Sequence, residues 1–147
     1  MDLALHAATI DLLDAPTLYR LLKLRSDVFV VEQGDPYAEL DGRDLEPTAV
    51  HLWLARDDEP VGYLRILDEP DGAARIGRVV VAASERGSGL AGRLMDAALE
   101  RIGNRRCVLA AQMQLADFYG RYGFTVTGPE FLDGHIPHLP MARPASP

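Results

Sequence analysis

A single cysteine, Cys107, stands in the 147-residue chain, so an internal disulfide framework is excluded. It lies in the apolar run Cys107-Val108-Leu109-Ala110-Ala111 and reads as a buried structural thiol. No apolar run approaches the length that spans a bilayer, which leaves no membrane partner to expect. The start, Met1-Asp2-Leu3-Ala4-Leu5-His6, lacks a basic stretch ahead of an apolar one, so no export signal is read and a reducing cytoplasm is expected. Repeats, low-complexity linkers and composition breaks are missing too. Residues 1–147 therefore read as one domain, with about 144–147 of the Pro-rich end as a disordered tail. Positive charge is scarce: a net −7 and a pI near 5.0 argue against nucleic acid as a partner.

What is present is an ordinary globular mixture, 48% apolar and 25% charged. The charge is unevenly spread. Residues 1–74 carry 16 acidic and 6 basic side chains, residues 75–147 carry 6 and 9. Between 32 and 46 six carboxylates (Glu32, Asp35, Glu39, Asp41, Asp44, Glu46) accompany one Arg43. Two readings stand side by side: a solvated loop, or an acidic half that receives a cationic substrate while the basic half holds an anionic cofactor.

The element pattern runs from a strand at 3–10 to a helix from Pro16 to about Val30, with Leu18, Leu21, Leu22, Val28 and Phe29 on one stripe. Arg25 falls on that stripe, which calls either for a buried carboxylate, with Glu32 a candidate, or for a head group that snorkels to solvent. Residues 33–47 read as loop with one short helix. Strands follow at 51–55, 61–67 and 76–82, separated by turns at Asp57-Asp58-Glu59 and Pro70-Asp71-Gly72. A helix runs from Leu90 to about Gly103, then a strand at 107–111, a helix from about Leu115 to Tyr122, and strands at 124–126 and 138–142. A β-meander followed by βαβα implies a mixed sheet with helices packed on it.

The chemistry concentrates at Arg86-Gly87-Ser88-Gly89-Leu90-Ala91-Gly92, a glycine turn that opens a helix. Glycines let backbone N–H groups approach a phosphate, the helix N-terminus adds partial positive charge, and Arg86 adds a full one. Gly87 to Gly92 also spells G-x-G-x-x-G, but four residues separate it from its strand. No acidic residue ends the next strand, where Ala110-Ala111-Gln112 stands, and only 55 residues follow Gly92. A nicotinamide-binding oxidoreductase is disfavoured on that context.

Arg86, Gly89 and Ala91 satisfy (Arg/Gln)-x-x-Gly-x-(Gly/Ala) after an apolar strand, and Ala116-Asp117-Phe118-Tyr119-Gly120-Arg121-Tyr122-Gly123-Phe124 is similar to Ala-x-x-(apolar)-Tyr-x-x-x-Gly-Phe, with one residue fewer between Ala116 and Tyr119. On these two motifs the chain resembles the GNAT superfamily of N-acetyltransferases. The segments Val28 to Gln33, Pro36-Tyr37, Asp41-Gly42, His51 and Gly134 to His138 resemble its ElaA-like branch, with Asp35 and His135 as departures.

The resemblance implies an α/β (α+β) fold: a mixed, mostly antiparallel sheet flanked by helices, with a βαβα cofactor-binding half. It implies acetyl-coenzyme A as co-substrate; His135 and His138 near Asp133 lack the helical spacing and thiolates of a metal site, so no metal is expected. The acceptor would be an amine on a small molecule or a protein, cationic if the acidic segment receives it. A homodimer is the family-level expectation. Tyr119 aligns with the family's general acid, which protonates the leaving thiolate. Main-chain N–H groups of Val79, Val80 and Val81 would serve the oxyanion, and Arg86 through Gly92 (Arg86, Gly87, Ser88, Gly89, Leu90, Ala91, Gly92) the pyrophosphate. The base is open between Glu32 and His51, since the strand 76–81 has no carboxylate. Gln33, Tyr37, Asp41 and His138 are expected around the acceptor. The alternative is a non-catalytic coenzyme A sensor.

Overall fold

The computed structural model describes residues 2–147; Met1, part of the export-signal reading, lies outside them. Eight strands form one sheet: β1 (Leu3–Ala8), β2 (Val50–Arg56), β3 (Glu59–Asp68), β4 (Ala74–Val81), β5 (Cys107–Gln112), β6 (Thr125–Val126), β7 (Phe131–Asp133) and β8 (Ile136–Arg143). Their order is β1-β2-β3-β4-β5-β8-β6, with β7 also paired to β8. Every pairing is antiparallel except that of β4 with β5.

Strands β2 and β3 are buried on both faces, so their apolar residues run almost without interruption. Leu52 and Leu54 face α2 (Leu90–Ile102), which lays Leu90, Leu94, Met95, Ala98 and Ile102 on the sheet. Trp53, Ala55 and Tyr63 point the other way, onto Leu21, Leu24 and Val28 of the first helical segment. Period 2 in the strands and period 3.6 in the helices thus meet on both sides of one sheet. Cys107 is fully buried in the larger core, and burial pushes its thiol up to about 11.

The first helix, α1 (Ala15–Ser26), starts where Asp14 Oδ1 accepts from the Thr17 N–H at 2.8 Å. The expected helix to Val30 does not continue as α: residues Asp27–Glu32 form a π turn, closed by Gln33 N–H donating to the Val28 carbonyl at 3.1 Å. The helix expected from Leu115 to Tyr122 is α3, only Ala116–Gly120, preceded by a 3₁₀ turn at Met113–Leu115. Strand β7 was not expected. In the terminal segment, Ser146 N–H donates to the Asn104 carbonyl at 3.0 Å.

Two irregularities open the sheet. β4 and β5 pair only at Ala74–Cys107 and Arg75–Val108, so they diverge beyond that point. Opposite β3, β4 carries one extra residue between Gly77 and Val80, where Arg78 takes φ +56°, a left-handed conformation uncommon outside glycine.

Candidate active site

The glycine turn lies at the wide end of the β4–β5 gap. Gly87 and Gly89 both have positive φ (+84° and +82°), conformations strained for any residue with a side chain. Among the described residues the backbone N–H groups from Gly89 to Gly92 find no acceptor within the chain, as at the first turn of any helix, and such open N–H groups suit an anion. They border a cleft of about 440 Å³ lined by Val79, Val80, Val81, Arg86 and the turn itself. Ser88 is the member of the expected set that does not line it; its hydroxyl turns back to donate to the Glu85 carbonyl at 2.6 Å. Open N–H groups, side-chain-free backbone and one arginine fit a pyrophosphate, and the apolar β4 wall fits a chain leading away from it.

A second cavity, about 260 Å³, lies on the other side of the gap and is lined by Gln33, Tyr37, Asp41 and His138, all four of the residues expected around an acceptor. Six residues line both spaces: Phe29, Gln33, Val79, Gln112, Leu115 and Tyr119. This shared boundary is where a donor from one side can meet an acceptor from the other, and Tyr119 is its one titratable group. The Tyr119 ring is 5% exposed and packs edge-on against Phe118 at 5.1 Å between centroids. Burial alone pushes its phenol up to about 12, with no charge or hydrogen bond contributing, so it stays protonated and its O–H is free to donate. Tyr122 instead lies over α2, where a Cβ added to Gly92 would come within 2.9 Å of its hydroxyl.

The two expected bases are engaged elsewhere. Glu32 lines the cofactor cleft but binds Arg86 with both oxygens, at 2.6 and 2.9 Å. The Arg86 hydrogen bond holds its carboxyl below the usual range, which makes it a poor proton acceptor near neutrality. His51 is 1% exposed and lines neither space. Its Nε2 faces the Asp44 carbonyl at 3.1 Å, which can only accept, so Nε2 carries the proton and Nδ1 accepts from the Tyr63 hydroxyl at 2.7 Å. Burial lowers its pKa, against the opposing pull of Asp44, and the ring is a neutral strut of the core.

Arg25 does not pair with Glu32. Its Nε donates to Glu39 Oε2 at 2.7 Å and its Nη1 to Asp44 Oδ1 at 2.7 Å, with the side chain 1% exposed. Arg65 binds Asp41 and Asp44, and Arg78 reaches Glu39 Oε1 at 2.8 Å. Three carboxylates of the acidic segment are thereby matched by three arginines, so neither sequence reading of it as a solvated loop nor as an open cationic receptor describes Glu39, Asp41 and Asp44. The cluster ties residues 35–45 over the second cavity and so places Tyr37 and Asp41 in its wall.

Sequence reasoning missed Phe29, Gln112, Leu115 and the arginines Arg65, Arg75 and Arg78, which also line the second cavity. Arg78 left a readable signal, the one charge inside the strand expected at 76–82. Gln112 ties the end of β5 to the turn that follows α1: its Nε2 donates to Gln33 Oε1 at 3.3 Å, and its Oε1 accepts from Gln114 at 2.8 Å.

Comparison with known proteins agrees with this geometry. The model of the acetyltransferase (GNAT) domain matches residues 24–144. A UPF0039 protein of Mycobacterium tuberculosis is 49% identical over 138 residues, covering 91% of this chain and 88% of that protein. Two crystal structures superpose with TM-scores of 0.90, each covering 97% of this chain and 99% of the other: an acyl-CoA N-acyltransferase from Pseudomonas aeruginosa at 41% identity and Escherichia coli ElaA at 35%. Split sheet, glycine turn, tyrosine at the junction and these likenesses converge: the chain belongs to the GNAT acetyltransferase family, in its ElaA-like branch.

Proposed function

We propose that the protein transfers an acetyl group from acetyl-coenzyme A directly to a primary amine, with Tyr119 as the acid that protonates the departing thiolate. The observation that carries this reading is that Tyr119 is the one titratable residue among the six that line both cavities. The thioester would lie at that boundary, with the pyrophosphate on the turn from Arg86 to Gly92. N–H groups of Val79 to Val81, on the strand that leaves β5, supply the partial positive charge a developing oxyanion needs.

The matched ion cluster bears on the acceptor. With Glu39, Asp41 and Asp44 already paired, the cavity favours a compact amine over a polycation. Thiol release measured across a panel of mono- and diamines, with acetyl- and longer acyl-coenzyme A donors, tests the proposal. Turnover strongest with the acetyl donor and a small monoamine is expected. Tight coenzyme A binding with no turnover for any amine would overturn it in favour of the sensor.

A further inference from the structure

With Glu32 and His51 occupied, the acceptor cavity is left with one imidazole whose free nitrogen is set by the structure. His138, on β8, lines that cavity. Its Nδ1 lies 2.8 Å from the Ile136 carbonyl. A backbone carbonyl can only accept, so Nδ1 carries the proton, and in the neutral ring Nε2 holds an unshared pair. The ring is further fixed by stacking on Phe131 of β7, 5.9 Å between centroids and 30° between planes.

Its place relative to the chemistry follows from strand register. His138 is directly opposite Gln112 on β5. Directly opposed residues of an antiparallel pair project from the same face, side by side at about 5 Å. Gln112 is one of the six residues on the boundary between donor and acceptor spaces, so His138 stands one strand away from it, on the acceptor side. His135 is not its equal: its Nδ1 is taken by Asp35 at 2.8 Å and it does not line the cavity.

We infer that His138 Nε2 is the general base that takes a proton from the acceptor ammonium. This rests on the acyltransfer reading above. The N–H pair stays on nitrogen as the proton moves to Nε2, and that pair then forms the C–N bond to the acyl carbon. The C–S pair leaves with sulfur, which takes the Tyr119 proton. The second nitrogen proton restores the phenol, and the imidazolium gives its proton to solvent. The charged groups that share the cavity are Asp133 from β7, Arg65 from β3, Arg75 and Arg78 from β4, and Asp35, Asp41 and Arg43 from the acidic segment; the facing end of β5 offers only the uncharged Gln112.

Two variants test it. His138→Ala removes the ring, and His138→Asn keeps an N–H donor toward Ile136 without a basic nitrogen. Steady-state rates are measured from pH 6 to 10 with an amine that wild type acylates, beside acyl-coenzyme A affinity by calorimetry. Expected is a loss in kcat/KM of about a hundredfold or more at pH 7 in both variants. The loss shrinks toward pH 10 as the amine deprotonates unaided, acyl-coenzyme A affinity is unchanged, and added imidazole partly rescues His138→Ala. Wild-type rates for His138→Asn, or a loss equal at all pH values and unrescued, would overturn the base assignment alone. Absence of wild-type turnover with every amine would overturn the acyltransfer reading, and this inference with it.

Discussion

Replacement of Arg25 by methionine separates what builds the acceptor cavity from what binds the cofactor. Methionine keeps an apolar stem in the space beside Leu21 and Tyr63 but removes the donors that hold Glu39 and Asp44. Removing one member of a buried ion pair costs about 3–5 kcal/mol, because the partner charge stays buried without its counterion. Here neither partner is wholly abandoned. Glu39 keeps Arg78 at 2.8 Å and the Tyr37 hydroxyl at 2.7 Å, and Asp44 keeps Arg65 at 3.1 Å. The loss therefore falls at the lower end, about 3 kcal/mol. At about 3–4 °C per kcal/mol for a chain of this size, the thermal midpoint drops by about 10 °C. Thermal unfolding followed by circular dichroism reads this directly. Because the cluster anchors the loop that carries Tyr37 and Asp41, the acceptor KM should rise as well, while acyl-coenzyme A affinity measured by calorimetry holds. A midpoint loss under about 3 °C, or a cofactor affinity that falls as far as acceptor affinity, would refute the assignment of the cluster to the acceptor wall.

The same cluster sets an acid limit. Burial pushes Asp44 up, but hydrogen bonding to Arg25 and the charges of Arg25 and Arg65 outweigh it and hold the carboxyl below its usual value; Asp41 is held down likewise by Arg65 and its backbone contacts. Since the folded values are depressed, this stabilisation is complete above the unfolded value of about 3.9 and is lost as the pH falls below it. Urea midpoints should fall more steeply below about pH 4 in wild type than in Arg25→Met, and parallel curves would contradict it. Tyr119→Phe should lower kcat by about a hundredfold at unchanged acyl-coenzyme A affinity, and full activity would remove Tyr119 as the acid. Glu32→Gln frees Arg86 from its bidentate partner and should tighten coenzyme A binding about two- to threefold by calorimetry; weaker binding would show that Glu32 helps hold the ligand. Gly134→Ala places a Cβ against the Asp35 carboxylate at φ +63°, so it should lower the thermal midpoint and leave the coenzyme A affinity intact; an unchanged midpoint would contradict it.

What could be read from the chain was local. The turn at Arg86–Gly92 and the Tyr119 segment are contiguous, and each carries its geometry in its own spacing. Arg25 shows the limit: its need for a buried carboxylate was visible, but Glu39 and Asp44, 14 and 19 positions away, are delivered by a loop whose path no periodicity records. The π turn at 27–32 was hidden because its apolar spacing is compatible with an α-helix. The extra residue at Arg78 is a backbone event, and three-residue β7 is too short for alternation to show. For histidines the decisive fact is the partner of the second nitrogen. Asp44 turns His51 into a strut, whereas Ile136 leaves His138 with an open lone pair.

The divergence of β4 and β5 also has a mechanical meaning. Two rungs at Ala74 and Arg75 join the meander β1–β4 to the half formed by β5, β8 and their partners, so the sheet behaves as two plates sewn together at one end. Beyond those rungs the side chains that join the halves come from outside β4: Gln112 donates to Gln33 at 3.3 Å, and Asp35 accepts from the His135 N–H at 3.1 Å. A molecule bound between the plates would supply rungs that β4 and β5 do not make with each other. Ligand binding and stiffening of the sheet are then one event, and amide exchange at Val79 to Val81 should slow far more on cofactor binding than exchange in β2 or β3.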